Sequence, residues 1–209
     1  MRASAFSTWP DDGPTAVSFD LLGCRDQPWT ARDALELLPE NSGPRIEVLR
    51  GCVVVTPGGS VDRRAVQMEL AHRIRTAARV AGWWAYASAN VLSGDDLFVP
   101  DLVVLRWSGG GRRAVDVAGT VLLGEIAPVG LIDRPREYAA AGVPHFLRVD
   151  LRNRVPTIAL YELFEGEYRP LAAAAAGTSF VMKKPFEFTI DPADLLGEEA
   201  PEEEPGAGE

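Results

Sequence analysis

TVLLGEIAPVGLIDRPREYAAAGVPHFLRVDL, residues 120–151, is the segment whose reading decides the fold. TVLLGEIAP (120–128) is an apolar run with a lone acid, Glu125, near its end, and reads as a central strand. DRPREYAAAG (133–142) reads as a helix, with Pro135 in its first turn and Gly142 at the C′ position. VPHFLRVDL (143–151) is a further strand. A strand–helix–strand step of this length predicts two parallel, adjacent strands in one sheet. The fold class is therefore α/β or α+β: a mixed β-sheet flanked by helices, in a single domain.

The rest of the chain fits around that step. PWTARDALELLPE (28–40) predicts a short helix with Thr30 as N-cap and Asp33 three residues on. Ala34, Leu35, Leu37 and Leu38 form its buried side and Pro39 closes it. RIEVLRGCVVVTP (45–57) reads as a hairpin turning at Arg50-Gly51. SVDRRAVQMELAHRIRTAARVAG (60–82) is the clearest helix. Val66, Leu70, Ile74 and Ala77 or Ala78 share one face, while Arg63, Arg64, Arg73, Arg75 and Arg79 occupy the polar side, read as a solvated face. Ser60 or Asp62 caps its start and Gly82 ends it. WWAYASANVLSG (83–94) predicts a strand with an irregular end. LFVPDLVVLRW (97–107) predicts one central strand, too apolar to be half exposed. TIALYELFEGEYRPL (157–171) is a second hairpin, turning at Glu165-Gly166. The segment after it adds an edge strand and a closing turn. Residues 1–27 read as an irregular arm, 28–196 as the folded domain, and 197–209 as an acidic tail whose composition keeps it disordered.

With 46% apolar and 24% charged residues the chain has the composition of an ordinary soluble globular protein. No apolar run is long enough to span a membrane, and the N-terminus lacks the apolar core of a signal peptide. The expected compartment is the cytoplasm, which argues against a disulfide between Cys24 and Cys52. The tail GEEAPEEEPGAGE holds six glutamates, and without them the formal charge falls from −9 to −3. A body this mildly acidic does not advertise nucleic-acid binding, but a local arginine-lined groove is compatible with it. Of 21 basic residues only Lys183 and Lys184 are lysine, so any mechanism that needs a lysine must use those or do without.

Three acids stand in apolar surroundings: Glu47 between Ile46 and Val48, Asp101 after Pro100, and Glu125. A carboxylate on a central strand is costly unless paired, protonated or bound to a cation. Two of them at matching heights on neighbouring strands would repel unless a hard divalent ion such as Mg²⁺ or Mn²⁺ lay between them. Taken singly, each acid has a plainer reading at a strand end, facing solvent or capping a helix. Other candidates carry less. His72 and His145 make no metal signature. No GxSxG elbow is present. GGGRR (109–113) lacks the context and the lysine of a phosphate loop and reads as a flexible hairpin tip. Trp83 and Trp84 read as core or sheet-face aromatics.

In order, these pieces (a hairpin with Glu47, the long helix, FVPDLVVL, the Glu125 strand and RPREYAAAGVPHFLRVD) resemble the "putative restriction endonuclease" family of the PD-(D/E)xK nuclease superfamily. The resemblance covers roughly residues 28–190. It implies a PD-(D/E)xK-like domain, Mg²⁺ or Mn²⁺ as cofactor and DNA as substrate. Asp101 resembles the metal-binding Asp of the PD motif. Glu125 resembles the acid of the second half-motif, with the Ile126 carbonyl as a further metal ligand. Glu47 resembles the acid of the first element. In such enzymes a lysine positions and activates the attacking water; here its place is taken by Arg134. Arginine keeps the charge but cannot give up a proton at working pH. The Ser-Pro-rich loop that usually precedes the lysine is shortened to IAPVGLID, with Asp133 its one acid. Two functions follow: a metal-dependent endodeoxyribonuclease, for which a homodimer would suit double-strand cutting, or a catalytically degenerate nuclease fold kept as a binding or interaction module.

Overall fold

The structure, a computed structural model, describes residues 27–37, 44–126 and 133–197. Within them lie, in chain order, α1 (Ala31–Leu37), β1 (Arg45–Leu49), β2 (Cys52–Thr56), α2 (Val61–Val80), β3 (Trp84–Ala87), β4 (Val91–Ser93), β5 (Asp96–Phe98) and β6 (Leu102–Leu105). They continue with β7 (Val115–Asp116), β8 (Thr120–Ile126), α3 (Arg134–Ala140), β9 (His145–Asp150), β10 (Thr157–Phe164), β11 (Glu167–Ala175), β12 (Phe180–Met182) and β13 (Phe188–Ile190). Apart from Gln27 and Gly197, the expected arm and tail fall outside the described residues, as do Leu38 and Pro39 of the first helix.

These elements make an α+β domain with one sheet of order β11-β10-β9-β8-β6-β3, a second of order β2-β1-β5-β4-β7, and a separate β12-β13 pair. The predicted parallel step is present: β8 and β9 pair in parallel, with Glu125 opposite Arg148. Central β6 is buried on both faces. Leu102 and Val104 pack with Val66, Leu70, Ile74 and Ala78 of α2, while Val103 and Leu105 pack with Phe98, Tyr138 and Phe146 on the other side. Each such aliphatic side chain contributes about 1.5–3 kcal/mol by leaving water. Gly124 permits close approach of β8 and β6, since a Cβ there would sit 3.0 Å from Leu102 Cβ.

The caps follow from the sequence. Ser60 Oγ accepts from the Arg63 N–H at the start of α2. Thr30 and Asp33 form a reciprocal capping box on α1. Asp133 caps α3, and Gly142 follows it with φ +75°.

Several expectations are corrected. LFVPDLVVLRW is two strands in different sheets, with the chain bending through Val99-Pro100-Asp101. Pro100 has no N–H to give a ladder, and the Val99 N–H goes instead to the Glu47 side chain. WWAYASANVLSG likewise divides into β3 and β4 across the two sheets. GGGRR is a turn between sheets rather than a hairpin tip, closed by Arg112 N–H donating to the Gly109 carbonyl. Leu37 is exposed, and the buried side of α1 is Ala31 and Ala34 under Trp29.

Candidate active site

The two sheets meet at the bend before β6, and there the three acids come together. Asp101 sits at the bend. Glu125 reaches in from β8, and Glu47 from β1, where strand alternation puts it on the same face as Arg45 two residues earlier. All three are buried, Glu47 completely. Asp101 and Glu125 are neighbours across the β6–β8 ladder, next to the Leu102–Gly124 pair.

Each acid is met by arginine. Arg45 lies among all three, at 3.4 Å from Glu47, 3.7 Å from Asp101 and 3.1 Å from Glu125. It also donates to the Val99 carbonyl, while its buried Nε has no hydrogen-bond partner. Arg134 makes a paired contact with Glu47, Nη1 donating to Oε1 at 2.5 Å and Nη2 to Oε2. Arg63, on the first turn of α2, donates through Nη2 to both Asp101 oxygens (2.9 and 2.6 Å) and through Nε to the Ile126 carbonyl at 3.0 Å. Asp101 Oδ2 also accepts the Ile126 N–H at 2.8 Å. The Tyr138 hydroxyl donates to Glu125 Oε1. Three carboxylates thus face three guanidiniums, and every carboxylate oxygen has a donor.

The two neighbouring acids are driven apart. Burial and the Glu125 charge raise Asp101 to about 6, against the pull of Arg63 and Arg45. Burial would raise Glu125 too, but Arg45, Arg134 and the Tyr138 hydrogen bond hold it below its ordinary value. Burial works against the charge on Arg134, yet Glu47, Tyr138 and Glu125 keep it firmly protonated. Arg134 can therefore stabilise negative charge but cannot serve as a base.

The sequence-predicted residues Glu47, Asp101, Glu125, Ile126 and Arg134 are all brought together, although the loop 127–132 between the last two lies outside the described residues. Lys183 and Lys184 do not join them in any contact among the described residues; Lys184 acts on His145, the first residue of β9, three residues before Arg148, which pairs with Glu125. Arg45, Arg63, Tyr138 and Gln67 were missed. Arg45 is two residues before Glu47 on one strand face, and Tyr138 is four after Arg134 on one helix face, so both were marked by periodicity. Arg63 departs from the solvated face assigned to it: its side chain is only 15% exposed. Gln67, buried on α2, donates to the Asp101 carbonyl and to Ser88 Oγ, tying the bend to the helix. It also forms one wall of a cleft of about 450 Å³ between α2 and β3, lined by Arg64, His72, Arg75 and Tyr86.

The donors suit a hard divalent ion by chemistry: two carboxylates and a main-chain carbonyl, all oxygen. Among the described residues no three His, Cys, Asp or Glu side chains are spaced to hold one ion. The acids surround a guanidinium, which is larger than a metal, and Glu47 is committed to Arg134.

A mixed-sheet domain with acids gathered at the PD bend and the end of the next strand has the architecture of a nuclease fold. A crystal structure of a "putative nuclease belonging to DUF820" from Anabaena variabilis superposes with TM-score 0.59 at 18% identity, covering 81% of this chain and 99% of that one. The chain belongs to the Uma2 family, described as "Putative restriction endonuclease", which matches residues 32–193. No curated protein matches it.

Proposed function

We propose that this chain is a divalent-metal-dependent nuclease acting on DNA phosphodiester bonds, with the Asp101 and Glu125 carboxylates and the Ile126 carbonyl as the protein ligands of Mg²⁺ or Mn²⁺. The observation that supports it is the convergence of Glu47, Asp101 and Glu125, from three separate strands and bends, on one buried point. Bound there, the ion would polarise the phosphodiester and lower the pKa of an attacking water.

The chain's own residues have separate tasks in this reading. Arg134, held by Glu47, stabilises charge developing on the phosphoryl oxygens. Glu47 is a positioning residue that fixes Arg134 and the Val99 amide. Arg64 and Arg75 in the α2–β3 cleft offer contacts to a nucleic-acid backbone. Cutting both strands would call for two copies of the chain. No described helix is long and apolar enough to cross a membrane, and in this reading the chain works in a reducing compartment such as the cytoplasm.

A second reading, a catalytically degenerate nuclease fold acting as a binding module, is favoured by one observation: three guanidiniums already balance the three acids. Calorimetry with Mn²⁺ and Mg²⁺ on the wild type and Asp101→Ala, followed by plasmid cleavage, decides between them. Saturable binding lost in Asp101→Ala, with nicking of the plasmid, supports the nuclease. A protein that neither binds metal nor cuts overturns the nuclease reading and leaves the fold to a non-catalytic role.

A further inference from the structure

The oxygens assigned to the metal are not idle. Asp101 Oδ1, Asp101 Oδ2 and the Ile126 carbonyl all accept hydrogen bonds from Arg63. We infer that Arg63 is a built-in substitute for the divalent cation on the Asp101 side of the site: its guanidinium occupies the Asp101 and Ile126 oxygens in the free protein, and the ion gains them when Arg63 moves off. This inference rests on the nuclease reading above and adds to it the residue that sets when the site can load.

Arg63 is suited to the task where the other two arginines are not. Arg45 bridges all three acids and the Val99 carbonyl from within a strand, and Arg134 is locked to a fully buried Glu47. The Arg63 guanidinium donates to two of the three groups named as metal ligands, Asp101 and the Ile126 carbonyl, while the third, Glu125, is held by Arg45 and Tyr138. Its backbone is at the first turn of α2, just after Gly58-Gly59, so its side chain can swing without disturbing a sheet. Arg63 balances the Asp101 charge while no metal is present, which lets the acids persist in a buried place. Its neighbour Gly59 provides its berth: a Cβ at Gly59 would lie 2.6 Å from Arg63 Cδ and 3.0 Å from Nη1. Gly59 has no positive φ, so alanine there is compatible with the backbone and would displace the flexible side chain alone.

The test is Mn²⁺ calorimetry on the full chain as wild type, Arg63→Ala, Gly59→Ala and Asp101→Ala, with the melting temperature of each read in chelator and in excess Mn²⁺. Gly59→Ala keeps every charged group and guards against a folding defect in Arg63→Ala. The expected result is Mn²⁺ affinity at least about tenfold tighter in both Arg63→Ala and Gly59→Ala than in the wild type, through removal of a competing cation. Arg63→Ala should also melt lower in chelator and recover with Mn²⁺, because the ion restores the missing counter-charge. Wild-type affinity equal to that of both variants, lost in Asp101→Ala, would overturn the role of Arg63 and leave the metal site standing. No Mn²⁺ binding by any of the proteins would overturn both.

Discussion

Arg134 and Glu47, 87 residues apart in sequence, meet in a buried paired contact in which each Nη donates to a different carboxylate oxygen. This contact joins the first strand to the helix that follows the Glu125 strand, across the junction of the two sheets. Breaking one side leaves the other charge buried without a partner. Glu47→Ala is therefore expected to lower stability by about 3–5 kcal/mol. The double change Glu47→Leu with Arg134→Leu should recover most of that loss, since removing both charges removes the desolvation cost as well. Urea unfolding of the three proteins checks this. A double variant no more stable than Glu47→Ala would mean the pair contributes mainly through shape.

Arg134→Lys tests the chemistry of the same position. Lysine reaches Glu47 with a point charge rather than a fork, so one of the two charged hydrogen bonds is lost, at about 1.5–3 kcal/mol. Lysine can nonetheless lose its proton when buried, and the neutral amine can then accept one from water, which a guanidinium cannot do. If the site is a nuclease, Mn²⁺-dependent plasmid nicking should rise by on the order of tenfold or more in this variant, within the range of a proton-transfer contribution. Nicking that falls in step with stability would show that charge alone, not proton transfer, is used at this position.

Asp101 makes the site sensitive to pH. Its carboxyl holds its proton up to about 6, above the ordinary 3.8, because of burial and the Glu125 charge. A folded-state value above the unfolded one means the contribution to stability is fully present below the ordinary value and is lost as pH rises through about 6. Compared with Asp101→Asn, the wild type should lose stability over that window and change little above it. Cation binding runs the other way, since only the ionised carboxylate is a ligand. Mn²⁺ affinity should weaken as pH falls below about 6. A flat binding profile from pH 5 to 8, with saturable binding intact, would remove Asp101 from the ligand set.

How far the sequence carried depends on the kind of signal. The β8–α3–β9 step was legible because apolar period, Pro135, Gly142 and length all agreed. The pairing of Glu47, Asp101 and Glu125 was legible because acids within apolar runs demand a partner. The break at Val99-Pro100-Asp101 was hidden because the run LFVPDLVVL stays apolar through it: both sides are buried, in different sheets, so hydropathy does not mark the change. The partners of the acids were hidden for another reason. Arg63 shares its helix with four other arginines, and period alone assigns all five to the polar side. Only the helix's placement over the end of β8 turns Arg63 inward, and that is a tertiary fact.

Tyr138 offers the mildest probe of Glu125. Its ring packs in a T-shaped contact with Phe98 at 5.3 Å between centroids and beside Phe146 at 5.9 Å, and phenylalanine would keep that packing. What Tyr138→Phe removes is the hydroxyl that donates to Glu125 Oε1, leaving one oxygen of a buried carboxylate without a donor. The expected loss is about 1–3 kcal/mol at neutral pH. The pH dependence identifies the cause. Burial opposes ionisation of Glu125, but Arg45, Arg134 and this hydrogen bond together keep its folded-state value below the ordinary 4.5. Its contribution to stability is thus present above 4.5 and lost as pH falls through the folded value. Without the hydroxyl that folded value rises, so the acid limb of the stability curve should move to higher pH in Tyr138→Phe. Denaturant midpoints between about pH 3 and 6 for the two proteins measure the shift. A uniform loss with no displacement of the acid limb would mean that Tyr138 acts through packing, and that Arg45 and Arg134 alone keep Glu125 ionised.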